Sequence, residues 1–234
     1  NIQEQAAKAA AIVVDSAYTK NNVMETLKVP PEKIHVIYPG IDPNVRKVTF
    51  LTLRPANLNF PFILYLGTVE PRKNVDALIE AFQILKQQPI FNDLKLIIAG
   101  KNSDIKKSRI HTNDANNDII YWGPATPEEK IMLYNLAEVF VYPSFFEGFG
   151  FPPLEAQACG CPVVASNRAS LKEILGNSAL LINPWKYKEL ALAIESILTD
   201  NSLRAQFIAK GIKNVSQFNW QDTACALLKL FSQF

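Results

Sequence analysis

From Phe62 onward the sequence alternates between two kinds of segment that cannot form the same element. "FILYLG" (62–67), "LKLIIAG" (94–100), "DIIYWG" (118–123) and "VFVYPS" (139–144) are short, mostly apolar runs. A strand without a polar side must be covered on both faces, as in a parallel sheet with helices above and below it. The intervening segments have helical signals. Asn74 is expected to cap a helix in which Val75, Leu78, Ile79, Phe82 and Leu85 recur at helical spacing. Thr126 and Glu129 form a capping box with Pro127 at the first helical position, opening a helix that runs to Ala137. A helix over 152–159, a strand "PVVAS" (162–166), a second capping box at Ser170 and Glu173, a short strand in "ALLIN" and helices from Trp185 onward complete the pattern. Such alternation predicts an α/β fold, a Rossmann-like doubly wound parallel sheet with right-handed crossovers.

Residues 1–45 read differently. A helix, a short strand in "AIVVDS", a helix after Ser16 and a strand near "KIHVIY" lead into "PGIDPNV" (39–45), which reads as a connector. The opening "NIQEQAAKAA" reads as a helix already in progress, so the chain is expected to begin partway through a longer protein. It has no apolar core of the kind a secretory signal carries. No apolar run reaches the ~18 residues of a membrane span.

The 234 residues carry a formal charge of only +2, so any anion site must be local, and nucleic acid is not an expected partner. Cys159, Cys161 and Cys225 are an odd number without metal-type spacing. They are read as small buried apolar residues in a reducing, cytoplasmic setting. There is no Asp-x-Asp, and His35 and His111 stand apart from other ligand-type residues, each read as a surface residue; no metal site is expected.

In an open parallel sheet, ligands sit beyond the carboxyl ends of the strands. Three candidate features fall there: "GTVEPRKN", "GKNS" and "PSFFEGFGFPPLE". Arg72 and Lys73 suit a diphosphate, since guanidinium binds phosphate bidentately and ammonium adds a point charge. They can equally be a solvated helix start, although cations at a helix N-terminus oppose its dipole. Gly148 and Gly150 let backbone approach a ligand at a helix start that favours anions. No G-x-G-x-x-G follows the first strand, so this is not a dinucleotide fingerprint. Glu155, about one turn into that helix, can accept from two vicinal hydroxyls, and Glu147 on the loop can meet hydroxyls elsewhere on the same ligand. The plainer alternative leaves Glu155 complementing the dipole and Glu147 in solvent.

"PSFFEGFGFPPLEAQACGCPVVASN", with "LGTVEPRKN", "VIYPGID", "LIIAGK", "YWGPATPEE" and "FNW", resembles the donor-binding half of retaining GT-B glycosyltransferases of the family-four, or group 1, type. The resemblance implies the C-terminal half of a GT-B fold. Residues 1–45 would be the trailing segment of the N-terminal acceptor domain with the interdomain linker, and 46–234 the donor-binding domain with C-terminal helices. It implies that Glu147, Arg72 and Lys73 form the catalytic group. Glu155 would hold the ribose, and Gly148, Phe149, Gly150 and Phe151 would line sugar and phosphate. Gly67, Thr68, Gly100, Lys101, Trp122, Gly123 and Pro124 would border the nucleotide. Many such enzymes carry arginine where this chain has Thr68, and the nearby Arg72 can supply that charge. The implied reaction moves a sugar from a UDP- or GDP-linked donor to an acceptor hydroxyl with retention, without metal or cofactor.

Two expectations of different kind follow. The chain is part of a glycosyltransferase, or it is a non-catalytic nucleotide-sugar-binding subunit with a separately encoded acceptor-binding partner. A nucleotide-sugar epimerase is a more distant third. Membrane association would be peripheral and through the first domain. The final helix, with Trp220, Leu227, Leu228, Leu230 and Phe231, is expected to expose apolar surface and favour a homodimer in isolation.

Overall fold

The computed structural model describes residues 1–46, 58–101 and 118–234. His111 and the Asn102–Ser103 part of "GKNS" lie outside them. The chain runs α1 (Ile2–Lys8), β1 (Ile12–Val14), α2 (Ala17–Leu27), β2 (Ile34–Val36), β3 (Phe62–Leu66), α3 (Val75–Leu85), β4 (Lys95–Ala99), β5 (Ile119–Gly123) and α4 (Pro127–Leu136). It continues with β6 (Val139–Tyr142), α5 (Phe151–Ala158), β7 (Val163–Ser166), α6 (Ala169–Leu175), β8 (Leu180–Ile182), α7 (Tyr187–Thr199), α8 (Asn201–Val215) and α9 (Trp220–Phe231).

Six strands form one sheet in the order β5-β4-β3-β6-β7-β8, and every pairing is parallel. This is the doubly wound order, with its switch point between β3 and β6. Phe62, Ile63, Leu64 and Tyr65 of β3 and Val139, Phe140 and Val141 of β6 have no exposed surface, the cost of helices covering both faces being met by apolar residues at every position. A second, two-stranded parallel sheet pairs β1 with β2 around a small core of Ala6, Val14, Val29 and Ile34. Ile41 and Val45 of the connector already pack into the larger core.

The capping box at Thr126 and Glu129 forms as expected, each side chain meeting the other's backbone N–H. The other two helix starts differ. Asn74 does stand at the N-cap of α3, but in the left-handed region and without a side-chain cap. Its Nδ2 instead donates to the carbonyls of Pro143 (3.2 Å) and Pro184 (2.7 Å), tying the loops after β6 and β8 together. Ser170 and Glu173 form no box, because α6 begins at Ala169 behind Arg168. Ser170 faces inward to the site loop. Glu173 caps another helix: its carboxylate accepts from the N–H groups of Ala17 (2.8 Å) and Tyr18 (2.9 Å) at the start of α2, and from the hydroxyl of Tyr38 (2.7 Å). Burial, then the Glu173 carboxylate, pushes the Tyr38 phenol up to about 12.

Cys159 and Cys161 are buried, and burial pushes the Cys159 thiol up to about 12, but Cys225 is exposed on α9. His35 is half-buried in β2 rather than on the open surface. On α9, Trp220, Leu228 and Phe231 are exposed as expected, whereas Leu230 is buried. Among the described residues no helix is long and apolar enough to cross a membrane.

Candidate functional site

The two strands at the switch point deliver the principal side chains. After β3, Pro71–Lys73 form a single 3-10 turn that points Lys73 inward. After β6 the chain enters the glutamate loop. Lys73 and Glu147 are both buried, and Lys73 Nζ lies 2.6 Å from Glu147 Oε1. Lys73 also donates to the hydroxyl of Tyr142 at 2.7 Å, and Ser144 Oγ donates to the same Oε1. Among the described residues, Glu147 Oε2 has only Arg72 Nη1, at 3.4 Å. Arg72 is half-exposed, pairs with Glu70 at 2.7 Å and donates to the Phe146 carbonyl at 3.2 Å. Burial, followed by the Glu147 charge, raises the Tyr142 phenol well above its usual range, so it stays protonated. Lys73 is therefore no solvated helix start, and Glu147 is a fixed group rather than a mobile one.

The carbonyls of Glu147, Gly148 and Phe149 are all occupied. Ser170 Oγ donates to those of Glu147 and Phe149, each at 2.9 Å. The Gly148 carbonyl accepts from Ser16 Oγ (2.6 Å) and Thr19 Oγ1 (3.2 Å) of the N-terminal unit. The N–H groups of Gly148, Phe149 and Gly150 find no acceptor among the described residues. Gly150 stands at the N-cap of α5 with φ 112°, where a Cβ would meet Leu171 at 2.6 Å. A run of donors beside a helix start suits an anion or a hydroxyl-rich ligand. The Phe149 ring is buried against Tyr38, Phe151 and Phe218, so this residue presents backbone only.

Over the ends of β3, β4 and β5 lies a cavity of about 240 Å³ lined by Leu66, Gly67, Thr68, Gly100, Lys101, Pro124, Ala125 and Lys130. Gly100 has φ 137°, and a Cβ there would be 2.1 Å from the Gly67 carbonyl, so the two strand ends close on each other. Gly67, Thr68, Gly100, Lys101 and Pro124 thus come together. Gly123 ends β5, and Trp122 packs on the core instead of lining the cavity. Lys130 was not legible as a site residue, since it sits in an ordinary α4 sequence. It links the cavity to Glu155, with Nζ 2.7 Å from Oε1, while Tyr134 donates to Oε2 at 3.0 Å. Burial and that carboxylate raise the Tyr134 phenol well above its usual range.

A doubly wound sheet with a donor-lined loop and a cation–carboxylate cluster at its switch point is the arrangement in which open α/β folds place their ligands. The chain belongs to the glycosyl transferases group 1 family, whose model matches residues 54–214, and residues 2–45 match Glycosyltransferase Family 4.

Similar proteins include the O-antigen chain mannosyltransferase B of Escherichia coli, 37% identical over 69% of this chain and 43% of its own length. The serotype-specific mannosyltransferase WbdA of Escherichia coli is 33% identical over 74% of this chain and 22% of its own. The chain thus spans less than half of these curated relatives. Among solved structures, sucrose-phosphate synthase from Thermosynechococcus elongatus superposes with TM-score 0.82 at 25% identity, over 99% of this chain and 60% of that one. Anabaena Alr3699/HepE, solved in complex with UDP-glucose, superposes with TM-score 0.84 at 20% identity, over 99% and 66%.

Proposed function

We propose that this chain is the donor-binding part of a glycosyltransferase that moves a hexose from a UDP- or GDP-linked sugar to an acceptor hydroxyl, with retention and without a metal ion. Residues 1–45 then belong to the acceptor-domain side with its linker, and 46–234 bind the donor. The observation that carries the reading is the Lys73–Glu147–Arg72 cluster on the same loop as the Gly148 to Gly150 N–H groups, which find no acceptor among the described residues. The family membership and the mannosyltransferase relatives support it and make GDP-mannose, beside UDP-hexoses, the donor to try first.

In this reading the base enters the cavity between Gly67 and Pro124, and the ribose hydroxyls reach Glu155. Both Glu155 oxygens already accept one hydrogen bond, but each has a second lone pair. Arg72, the third N–H of Lys73 and the loop N–H groups meet the diphosphate. Negative charge grows on the phosphate as the glycosidic bond breaks, and these fixed donors stabilise it without reorganisation, an effect worth several kcal/mol in comparable sites. Glu147 Oε2, the less occupied oxygen, accepts a hydroxyl of the transferred sugar. Residues beyond this chain supply the rest of the acceptor side, and the work takes place in the cytoplasm.

The test incubates the protein with UDP- and GDP-linked hexoses and mannose or glucose oligosaccharides as acceptors, with and without EDTA, and measures nucleotide released. Release from at least one donor, unchanged by EDTA, is expected. No release from any donor contradicts the proposal, and release only with added divalent cation contradicts its metal-free part.

A further inference from the structure

The cavity assigned above to the base lies over the ends of β3, β4 and β5. On the opposite side of Glu147, over the ends of β6, β7 and β8, the surface is aromatic. Phe145 packs on Trp185, which follows β8, with ring centroids 5.1 Å apart. The guanidinium of Arg168, which follows β7, lies 5.0 Å from the same indole. Trp185 nevertheless keeps 59% of its surface exposed. Phe146 is also exposed and turns the other way, edge-on to Tyr18 at 5.8 Å.

This surface is fastened to the reacting group. The Phe145 N–H donates to the Arg72 carbonyl at 2.8 Å, one residue before Lys73. Phe145 itself is two residues before Glu147. Asn74 joins the Pro143 and Pro184 carbonyls, so the loop carrying Trp185 cannot move independently of the loop carrying Glu147.

We propose that Trp185, Phe145 and Arg168 form a subsite for a sugar unit of the acceptor, one or more residues away from the hydroxyl that is glycosylated. The proposal rests on the transfer reaction assigned above to the Glu147 loop. Along the sheet edge the order is nucleotide cavity, cation pair, Glu147, aromatic ledge. A nucleotide donor occupies the first of these, so a chain-like acceptor reaches Glu147 from the other end. The chemistry of the ledge matches a saccharide. A pyranose has one face of C–H bonds carrying partial positive charge, which packs on the electron-rich face of an aromatic ring. Its rim of hydroxyls needs planar donors, which a guanidinium supplies in a fixed fork. The combination of an indole that keeps much of its surface exposed with a guanidinium over its ring suits that amphipathic shape better than a purely apolar partner.

The experiment uses the full-length protein and mannose and glucose oligosaccharides of one to five units, titrated without nucleotide by saturation-transfer NMR. Affinity should rise from the monosaccharide to the longer probes. Trp185→Ala should weaken the longer probes about tenfold, the loss of one good stacking contact, and Trp185→Phe should retain most of the binding. Nucleotide binding by calorimetry should be the same in all three proteins, which also shows that the variants are folded. Binding that is independent of probe length, unchanged in Trp185→Ala, or absent for every saccharide overturns the proposal. Failure of the wild-type protein to bind nucleotide counts instead against the donor site, because the saccharide titration does not depend on it.

Discussion

Lys73 and Glu147 reach each other across the switch point of the sheet, Nζ to Oε1 at 2.6 Å, with both side chains buried. Neither charge is stable there alone, because desolvation of a lone buried ion outweighs anything the surrounding apolar residues return. Lys73→Met should therefore destabilise the protein by about 3–5 kcal/mol, the usual cost of breaking a buried pair from one side. Glu147→Gln should cost a similar amount, since it leaves the Lys73 charge buried without a counter-charge, and the amide oxygen that still accepts from Lys73 offsets only part of that. Chemical denaturation of the two variants gives the comparison, and a Lys73→Met protein as stable as wild type would mean that Glu147 finds another counter-charge.

Asp118 gives a pH dependence of defined sign. It is buried, and burial opposes its ionisation, but Lys95 at 2.6 Å and Lys86 at 3.0 Å outweigh that and hold its carboxyl below the usual aspartate range. A folded-state pKa below the unfolded one contributes stability above the unfolded pKa and loses it as pH falls through the folded one. Asp118→Asn should thus cost about 1–3 kcal/mol at neutral pH. The gap between variant and wild type should stay constant down to about pH 5 and shrink below pH 4. Urea midpoints measured across pH 3–8 check this. A gap that widened in acid would reverse the sign.

Glu173 holds the N-terminal unit to the larger domain by capping α2 from outside. Glu173→Ala removes acceptors from two backbone N–H groups and from Tyr38, and a lost cap typically costs about 1 kcal/mol. Faster amide exchange at Ala17 and Tyr18, with exchange in β3 and β6 unchanged, is the expected pattern. Uniform acceleration throughout the protein would show that the contact supports global stability and not the junction between units.

Much of this was legible in the sequence, and the failures have a common physical origin. The apolar runs around Phe62 and Val139 define strands because no polar position interrupts them. The Thr126–Glu129 box forms because both partners are local. Ser170 and Glu173 have the same spacing, yet their side chains are drawn to distant backbone: Ser170 to the Glu147 and Phe149 carbonyls, Glu173 to the start of α2. Asn74 is likewise taken by two loops far away in sequence. Local pattern cannot reveal a long-range competitor. The same holds for the site. Arg72, Lys73 and Glu147 stand out as charged residues at strand ends, but their direct pairing, and the part of Lys130, depend on β3, β6 and α4 being neighbours in space.

The central claim is that Glu155 serves the nucleotide and Glu147 the sugar. Calorimetric titration of UDP, GDP and their hexose derivatives in EDTA, against wild type, Glu155→Gln and Glu147→Gln, tests it directly. Wild type should bind at least one nucleotide and its sugar. Glu155→Gln should weaken both by about 1.5–3 kcal/mol, the value of a charge-assisted hydrogen bond. Glu147→Gln should weaken only the nucleotide sugar. No binding of any nucleotide by the wild-type protein, or an equal loss of bare nucleotide in the two variants, would contradict the account.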